Sequence, residues 1–456
     1  MEGITMAQGA KPAVRSYFAA TAAFKDGSDS PRAFLERCIE AIEKHDTTIR
    51  AFVSTNFAGA RAAADAAGAR WKSGGTLSPI DGMPVGIKDI METADMATEQ
   101  GSALFVGWQG KRDAAAVAAL REAGAVIVGK TVTTEFAATH PGVTRNPWDT
   151  ERTPGGSSSG SAAAVGAGML PAALGTQVIG SINRPAAYCG VFGFKPSVGG
   201  INRGGSFDGF SQSCTGVLAA TIAETWTVAR VMSDRIGGDA GHVGLLGPMT
   251  LPAAARPKRI AMLETAGWAK ATDEAKKQLL DARAKLAAAG IEVIDRKSSA
   301  AVEAAEAAIA DAFHLSMTIN AWEGRWPLNT YARDMDRSKL SPSAIERLKL
   351  AESMSQTQFQ GLLGEREKVR KTYAALKDHA DLCFTLTAPA AAPKGLDWTG
   401  DPIFVVPSSL LGTPAMTLPV LQAEGLPLGL QLIGFAGEDA AMFAAAAAML
   451  PILGHK

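Results

Sequence analysis

The stretch "PGGSSSGSAAAVGAGMLPAALGTQVIGSINRPAAYCG", from Pro154 to Gly190, constrains the fold of this chain more than any other. It runs a glycine and serine loop into a row of alanines, and side chains that small suit a helix buried closely against its neighbours. A flexible linker would not lead straight into an apolar helix. Two other uses of such a loop stay open on the residues alone: a phosphate cradle at a helix N-terminus, or a scaffold for a reactive hydroxyl. The phosphate reading is the weaker, because no GK[ST] follows and no acidic metal ligand is near in sequence.

The 456 residues, 47% hydrophobic, are enough to bury a large core in one or two domains. The 45 basic and 45 acidic residues cancel without forming blocks, which argues against nucleic acid or acidic lipid and points to a small-molecule ligand. The opening "MEGITMAQGAKPAVRS" lacks the order of a secretory signal, and no run of about 18 apolar residues could span a bilayer. The expectation is a soluble, cytoplasmic protein with no membrane contact. Cys38, Cys189, Cys214 and Cys383 lie far apart with no CxxC, so they are expected to be buried free thiols. The histidines are equally scattered, and no metal site is expected.

"SPRAFLERCIEAIEKHD" reads as an amphipathic helix with Ser30 as N-cap and Pro31 in its first turn. "RDAAAVAALREAGAVIVGKT" reads as a helix stopping near Gly124, then a buried strand. The unit returns as "KRIAMLET", "ATDEAKKQLLDARAKLAAAG" and "IEVID" without sequence repetition, and "DLCFTLTAP" is another strand. Between Leu340 and Asp378 the chain reads as helical, opened by Ser341 and Pro342. This alternation predicts a mixed α/β sheet.

Chemistry concentrates in two places. Lys88, in "DGMPVGIKDI", follows a short apolar run and so stands at a strand end, either reaching a cleft or solvated at the surface. Ser181, in "GTQVIGSINRP", lies behind Gly180, by itself only a turn signal, and the GxSxG nucleophile elbow is absent. A serine nucleophile needs a base, and with no histidine in these loops a desolvated lysine is the natural substitute.

These residues together resemble the amidase signature family, serine hydrolases of carbon–nitrogen bonds with a Ser-Ser-Lys triad. "GGSSSGSAAAVGAGMLPAALGTQVIGSINRPAAYCGVFGFKPSVGGI" is similar to the family's signature, and "PIDGMPVGIKDI" to its lysine segment. "AAVAALREAGAVIVGKTVTTEFA", "VVPSSLLGTPAMTLPV" and "GLPLGLQLIG" extend the likeness to most of the chain, except roughly 235–380. The resemblance implies a single α/β domain, a twisted mixed β-sheet between layers of helices. Its parts would be an N-terminal helical segment (about 1–75), a signature core (about 76–230), a variable insert at the substrate (about 235–380) and a C-terminal return (about 381–456). It implies Lys88 as base, Ser157, after a cis peptide bond, as bridging serine, and Ser181 as nucleophile. Backbone N–H groups of Val178, Ile179, Gly180 and Ser181 would form the oxyanion hole. No metal or organic cofactor is implied, and a homodimer is compatible with the family.

The chain departs from the family pattern where GTDxGGSIR becomes GTQVIGSINR: Gln177 replaces an acid, Ile179 a glycine and Asn183 an arginine, with Arg184 one place later. "SQSCTGV" puts Ser213 where an aspartate commonly stands. These changes favour a stand-alone hydrolase of uncharged substrates with an apolar or aryl group, acting on amides and extending to aryl esters and carbamates. Gln177, Arg184, Phe207 of "FDGF", Trp322 and Trp326 are candidate substrate contacts, the aromatics equally readable as core. The alternatives are a glutaminase-type subunit of an amidotransferase complex, or a catalytically weak scaffold on the same fold.

Overall fold

The computed structural model describes residues 12–455, so most of the opening segment "MEGITMAQGAKPAVRS" lies outside the described residues. Among the described residues eleven strands form one mixed sheet: β1 (Phe52–Thr55), β2 (Pro84–Lys88), β3 (Val126–Thr131), β4 (Ala172–Gln177), β5 (Phe192–Lys195), β6 (Cys214–Ala219), β7 (Arg259–Met262), β8 (Glu292–Ile294), β9 (Leu382–Leu386), β10 (Ala415–Ala423) and β11 (Leu426–Ile433). Their order is β1-β3-β2-β4-β6-β5-β10-β11-β9-β7-β8. Helices cover the sheet, as expected for strands that are apolar on both faces.

Three neighbouring strands, next to the edge strand β1, place the site. β2 runs parallel to both β3 and β4, so Lys88, Thr131 and Gln177 end at the same sheet edge. β6 is antiparallel to β4, with Cys214 opposite Gln177, so the loop before β6 arrives at that edge too. The carboxyl ends of parallel strands leave a crevice where loops can bring side chains together.

The alanine row forms the helix Ser159–Gly166, every residue of it buried, packed on β2 and β4. Its smallness is required: a Cβ on Gly160 would meet the Ala51 carbonyl oxygen at 2.2 Å and the Val132 nitrogen at 2.3 Å. Cys38, Cys189, Cys214 and Cys383 are buried free thiols. Ser30 caps the helix Pro31–Ile49 through the Ala33 N–H. Among the described residues no helix is long and apolar enough to cross a membrane.

The structure also departs from the sequence reading. The segment read as N-terminal and helical contains β1, an edge strand antiparallel to β3. Within 235–380, by contrast, β7 and β8 form where "KRIAMLET" and "IEVID" read as strands, and they extend the common sheet. The span from 340 to 378 divides into the helices Pro342–Ser353 and Gln356–Ala375 because Ser355 starts a new helix, its side chain and that of Gln358 closing a capping box.

Candidate active site

Lys88 emerges from β2 with no exposed surface. Its Nζ donates to Ser157 Oγ at 2.7 Å and to Thr176 Oγ1 at 2.9 Å. Burial penalises the ammonium and pulls the Lys88 pKa from 10.5 down to about 7, opposed by the charge of Asp208. A substantial part of this amine is therefore neutral near pH 7 and able to accept a proton.

The Gly156–Ser157 peptide is cis. Arg184 braces it: the buried guanidinium donates to the carbonyl oxygens of Gly156 (2.7 Å) and Gly400 (2.8 Å) and to Thr399 Oγ1 (2.9 Å). Those protein contacts hold Arg184 inside the loop. The remaining serines of the run divide the work. Ser158 Oγ donates to the Thr176 carbonyl, Ser159 Oγ to that of Val132, and Ser161 Oγ to that of Leu174, tying the alanine helix to the strands on either side. Ser157 alone among them reaches Lys88.

Ser181 follows β4 and is nearly buried. The Ser158 N–H donates to its carbonyl at 3.2 Å, which joins the two serine-bearing segments. The turn before it is pinned by its carbonyls. Gln212 Nε2 donates to the Val178 oxygen at 2.9 Å, Ser409 Oγ to the Ile179 oxygen at 2.9 Å, and the Arg184 N–H to the Gly180 oxygen. Among the described residues, the N–H groups of Ile179, Gly180 and Ser181 have no protein acceptor. Gly180 is fixed by space, since a Cβ there would meet Val405 Cγ2 at 2.3 Å.

Gln177 explains one departure from the family pattern. Its Oε1 accepts from the N–H groups of Ile182 and Asn183, satisfying the start of the helix Asn183–Cys189, and its Nε2 donates to Ser409 Oγ. A neutral amide both accepts and donates there. The replacement of aspartate by Ser213 is a different matter, and here the expectation of a site emptied of acids is corrected. Asp208, 2% exposed, stands beside Ser213 and accepts its hydroxyl at 2.5 Å and that of Ser206 at 2.6 Å. A carboxylate occupies this place after all, delivered from five residues upstream.

Trp322 and Trp326 come together with Gly209, Ser211, Phe359 and Arg366 around an open cavity of about 700 Å³. Trp322 stacks on Phe359, ring centroids 5.3 Å apart, and Trp326 is 72% exposed, so neither is an ordinary core aromatic. Phe207 is partly exposed on the neighbouring loop. Lys88, Ser157 and Ser181 do not line the Trp322 cavity, nor either of two others, one near Gln278 and Leu453 and one near His242 and Arg370.

Comparison with known proteins bears on the family and the fold. The family model described as Amidase matches residues 33–443. This chain belongs to the amidase signature family. As a member it is a hydrolase of amide carbon–nitrogen bonds. A glutamyl-tRNA(Gln) amidotransferase subunit from Roseiflexus castenholzii is 33% identical over 446 residues, covering 91% of this chain and 90% of the relative. Among solved structures, a chain from a vestigial protein complex tied to the evolutionary origins of an s-triazine catabolic enzyme superposes with TM-score 0.84 at 26% identity, covering 97% of this chain and 99% of the other. A bacterial aryl acylamidase of the family gives TM-score 0.82 over 96% of both chains, and at 19% identity shows the fold alone.

Sequence reasoning missed Thr176, which holds Lys88 from β4, and Asp208. Only the pairing of their segments in space reveals them.

Proposed function

We propose that the enzyme hydrolyses amides of small, uncharged substrates with an apolar or aryl group, through an acyl-enzyme on Ser181. The observation that carries this is the buried Lys88 amine, its pKa drawn down to about 7 by burial and its Nζ 2.7 Å from Ser157 Oγ. Ser181 Oγ attacks the carbonyl carbon while its proton passes through Ser157 to Lys88. The oxyanion is met by the backbone N–H groups of the Val178–Ser181 turn, where losing one donor typically costs about 10²- to 10³-fold in turnover. Lys88 returns the proton through Ser157 to the departing amine as the C–N bond breaks. Water, activated by the same relay, then releases the acid.

Aryl esters and carbamates fit the same steps, because a good leaving group lowers the demand on the returned proton. The aromatic walls at Trp322, Trp326 and Phe359 support a substrate with an apolar or aryl part. No metal or organic cofactor takes part in these steps, and the enzyme works in the cytoplasm alone or as a homodimer.

A second reading, a glutaminase-type subunit of a complex, is favoured by the names of relatives such as the Roseiflexus amidotransferase protein. Hydrolysis of chromogenic anilides, aryl esters, aryl carbamates, short aliphatic amides and glutamine, with Ser181→Ala as blank, separates the two. The first reading predicts turnover of neutral aryl substrates, silence on glutamine and no activity in the variant. Glutamine turnover favours the second, and full activity in Ser181→Ala contradicts both.

A further inference from the structure

Asp208 takes no part in the steps above, yet the fold spends several contacts placing it. The Glu92 N–H donates to Gly205 O and the Phe207 N–H to Ile90 O, and a bridge joins Met91 to Ser206, so this loop lies along the chain just after Lys88. At its other end Gln212 holds the Val178 carbonyl, and Thr215 pairs with Thr176, the residue that shares Lys88 Nζ with Ser157. Asp208 is thus fixed between the lysine segment and the turn before Ser181. Both its oxygens accept serine hydroxyls in a place with almost no solvent.

We propose that Asp208 is a positioning residue for the proposed base, acting through space on Lys88 to set the pH at which its amine is free to take a proton. This rests on the Lys88–Ser157–Ser181 reading. The other charges around the lysine are already engaged. Asp89, next on the chain, faces Lys130 of β3 at 3.0 Å; Arg203 of the Asp208 loop pairs with Asp239 at 2.7 Å and also acts through space on Asp208, partly offsetting its charge. Arg184, behind Ser157, is turned to Gly156, Gly400 and Thr399. β4 and β6 contribute the uncharged Thr176 and Thr215. Asp208 is the charge that opposes the effect of burial on Lys88. Burial alone would leave the amine neutral but a poor proton acceptor; an anion at this place makes it more basic, closer to the working pH.

The test is the rate at which an alkyl fluorophosphonate labels Ser181, followed by mass spectrometry from about pH 5 to about pH 9. In wild type the rate rises with pH as Lys88 loses its proton. Removing the negative charge lowers the lysine pKa, so in Asp208→Asn the midpoint moves to lower pH, by roughly half a unit or more. Asp208→Glu and Ser213→Ala, which keep the carboxylate, hold the wild-type midpoint even if overall rates fall. A merely structural Asp208 would lower rates without this displacement. If Asp208→Asn does not fold by circular dichroism, Asp208→Ser serves as the neutral variant. A folded neutral variant with the wild-type midpoint, or a higher one, overturns the inference. Labelling absent from wild type, or retained in Ser181→Ala, overturns the nucleophile assignment itself, and the role of Asp208 falls with it.

Discussion

Two lysines one strand apart, both without exposed surface, are treated differently by this fold. Lys130 on β3, opposite Ile87 in the register, meets Asp89 at 3.0 Å and donates to Thr98 Oγ1 and to the carbonyls of Met91 and Ala97. Lys88 meets two hydroxyls and, at 3.4 Å, the Thr176 carbonyl oxygen, with no carboxylate in hydrogen-bond reach among the described residues. Burial lowers the pKa of both; at Lys130 the carboxylate that opposes it is a salt-bridge partner, whereas at Lys88 Asp208 opposes it through space. The difference teaches what converts a buried lysine into a base. A carboxylate partner favours the ammonium and ties the lysine to the loop after β2, whereas hydroxyl partners suit an amine in either state.

Lys88→Met gives the larger effect on activity. Losing a positioned base should lower turnover about 10²- to 10⁴-fold, and more for anilides than for activated aryl esters, since an amine leaving group needs the returned proton. Stability moves the other way. Between about pH 7 and 10.5 the unfolded chain carries a proton on this lysine that the folded chain has lost. Stability therefore falls as pH falls through that window, and Lys88→Met removes this cost. Urea denaturation at neutral pH should find the variant at least as stable as wild type. Equal losses on anilides and esters would break the relay.

Lys130→Met should do the reverse. It leaves Asp89 buried without its partner, a situation that costs about 3–5 kcal/mol, while activity per folded molecule falls far less than in Lys88→Met. A Lys130 variant that is stable but inactive would erase the distinction between the two lysines.

What is legible in the sequence divides along similar lines. Lys88, Ser157 and Ser181 can be read because the segments that carry them, the end of β2 and two glycine- and serine-rich loops, resemble the family's signature; the local pattern alone leaves Lys88 open as a surface lysine and Ser181 as a turn residue. The alanine helix is readable from its row of small residues. Asp208 is not, because its neighbourhood to Lys88 depends on a bridge between Met91 and Ser206, far apart in the chain. Its loop contains only a common Asp-Gly. Gln177 looks like a lost acid until the helix N-terminus it satisfies is seen. β1 escapes because four residues, alternately half-buried and exposed, give too short a period to separate from the helices around them. The Trp322 and Trp326 pair stands out in the sequence, but only the open cavity distinguishes a wall from a core.

The central claim is that Lys88 is neutral enough at working pH to serve as a base. It is tested most directly by titrating lysines labelled with ¹³C at Cε, with the Lys88 resonance assigned by its loss in Lys88→Met. The account predicts that this one signal titrates near pH 7 while solvent-exposed lysines titrate close to 10.5. A Lys88 signal that stays protonated to the range of the exposed lysines would contradict it.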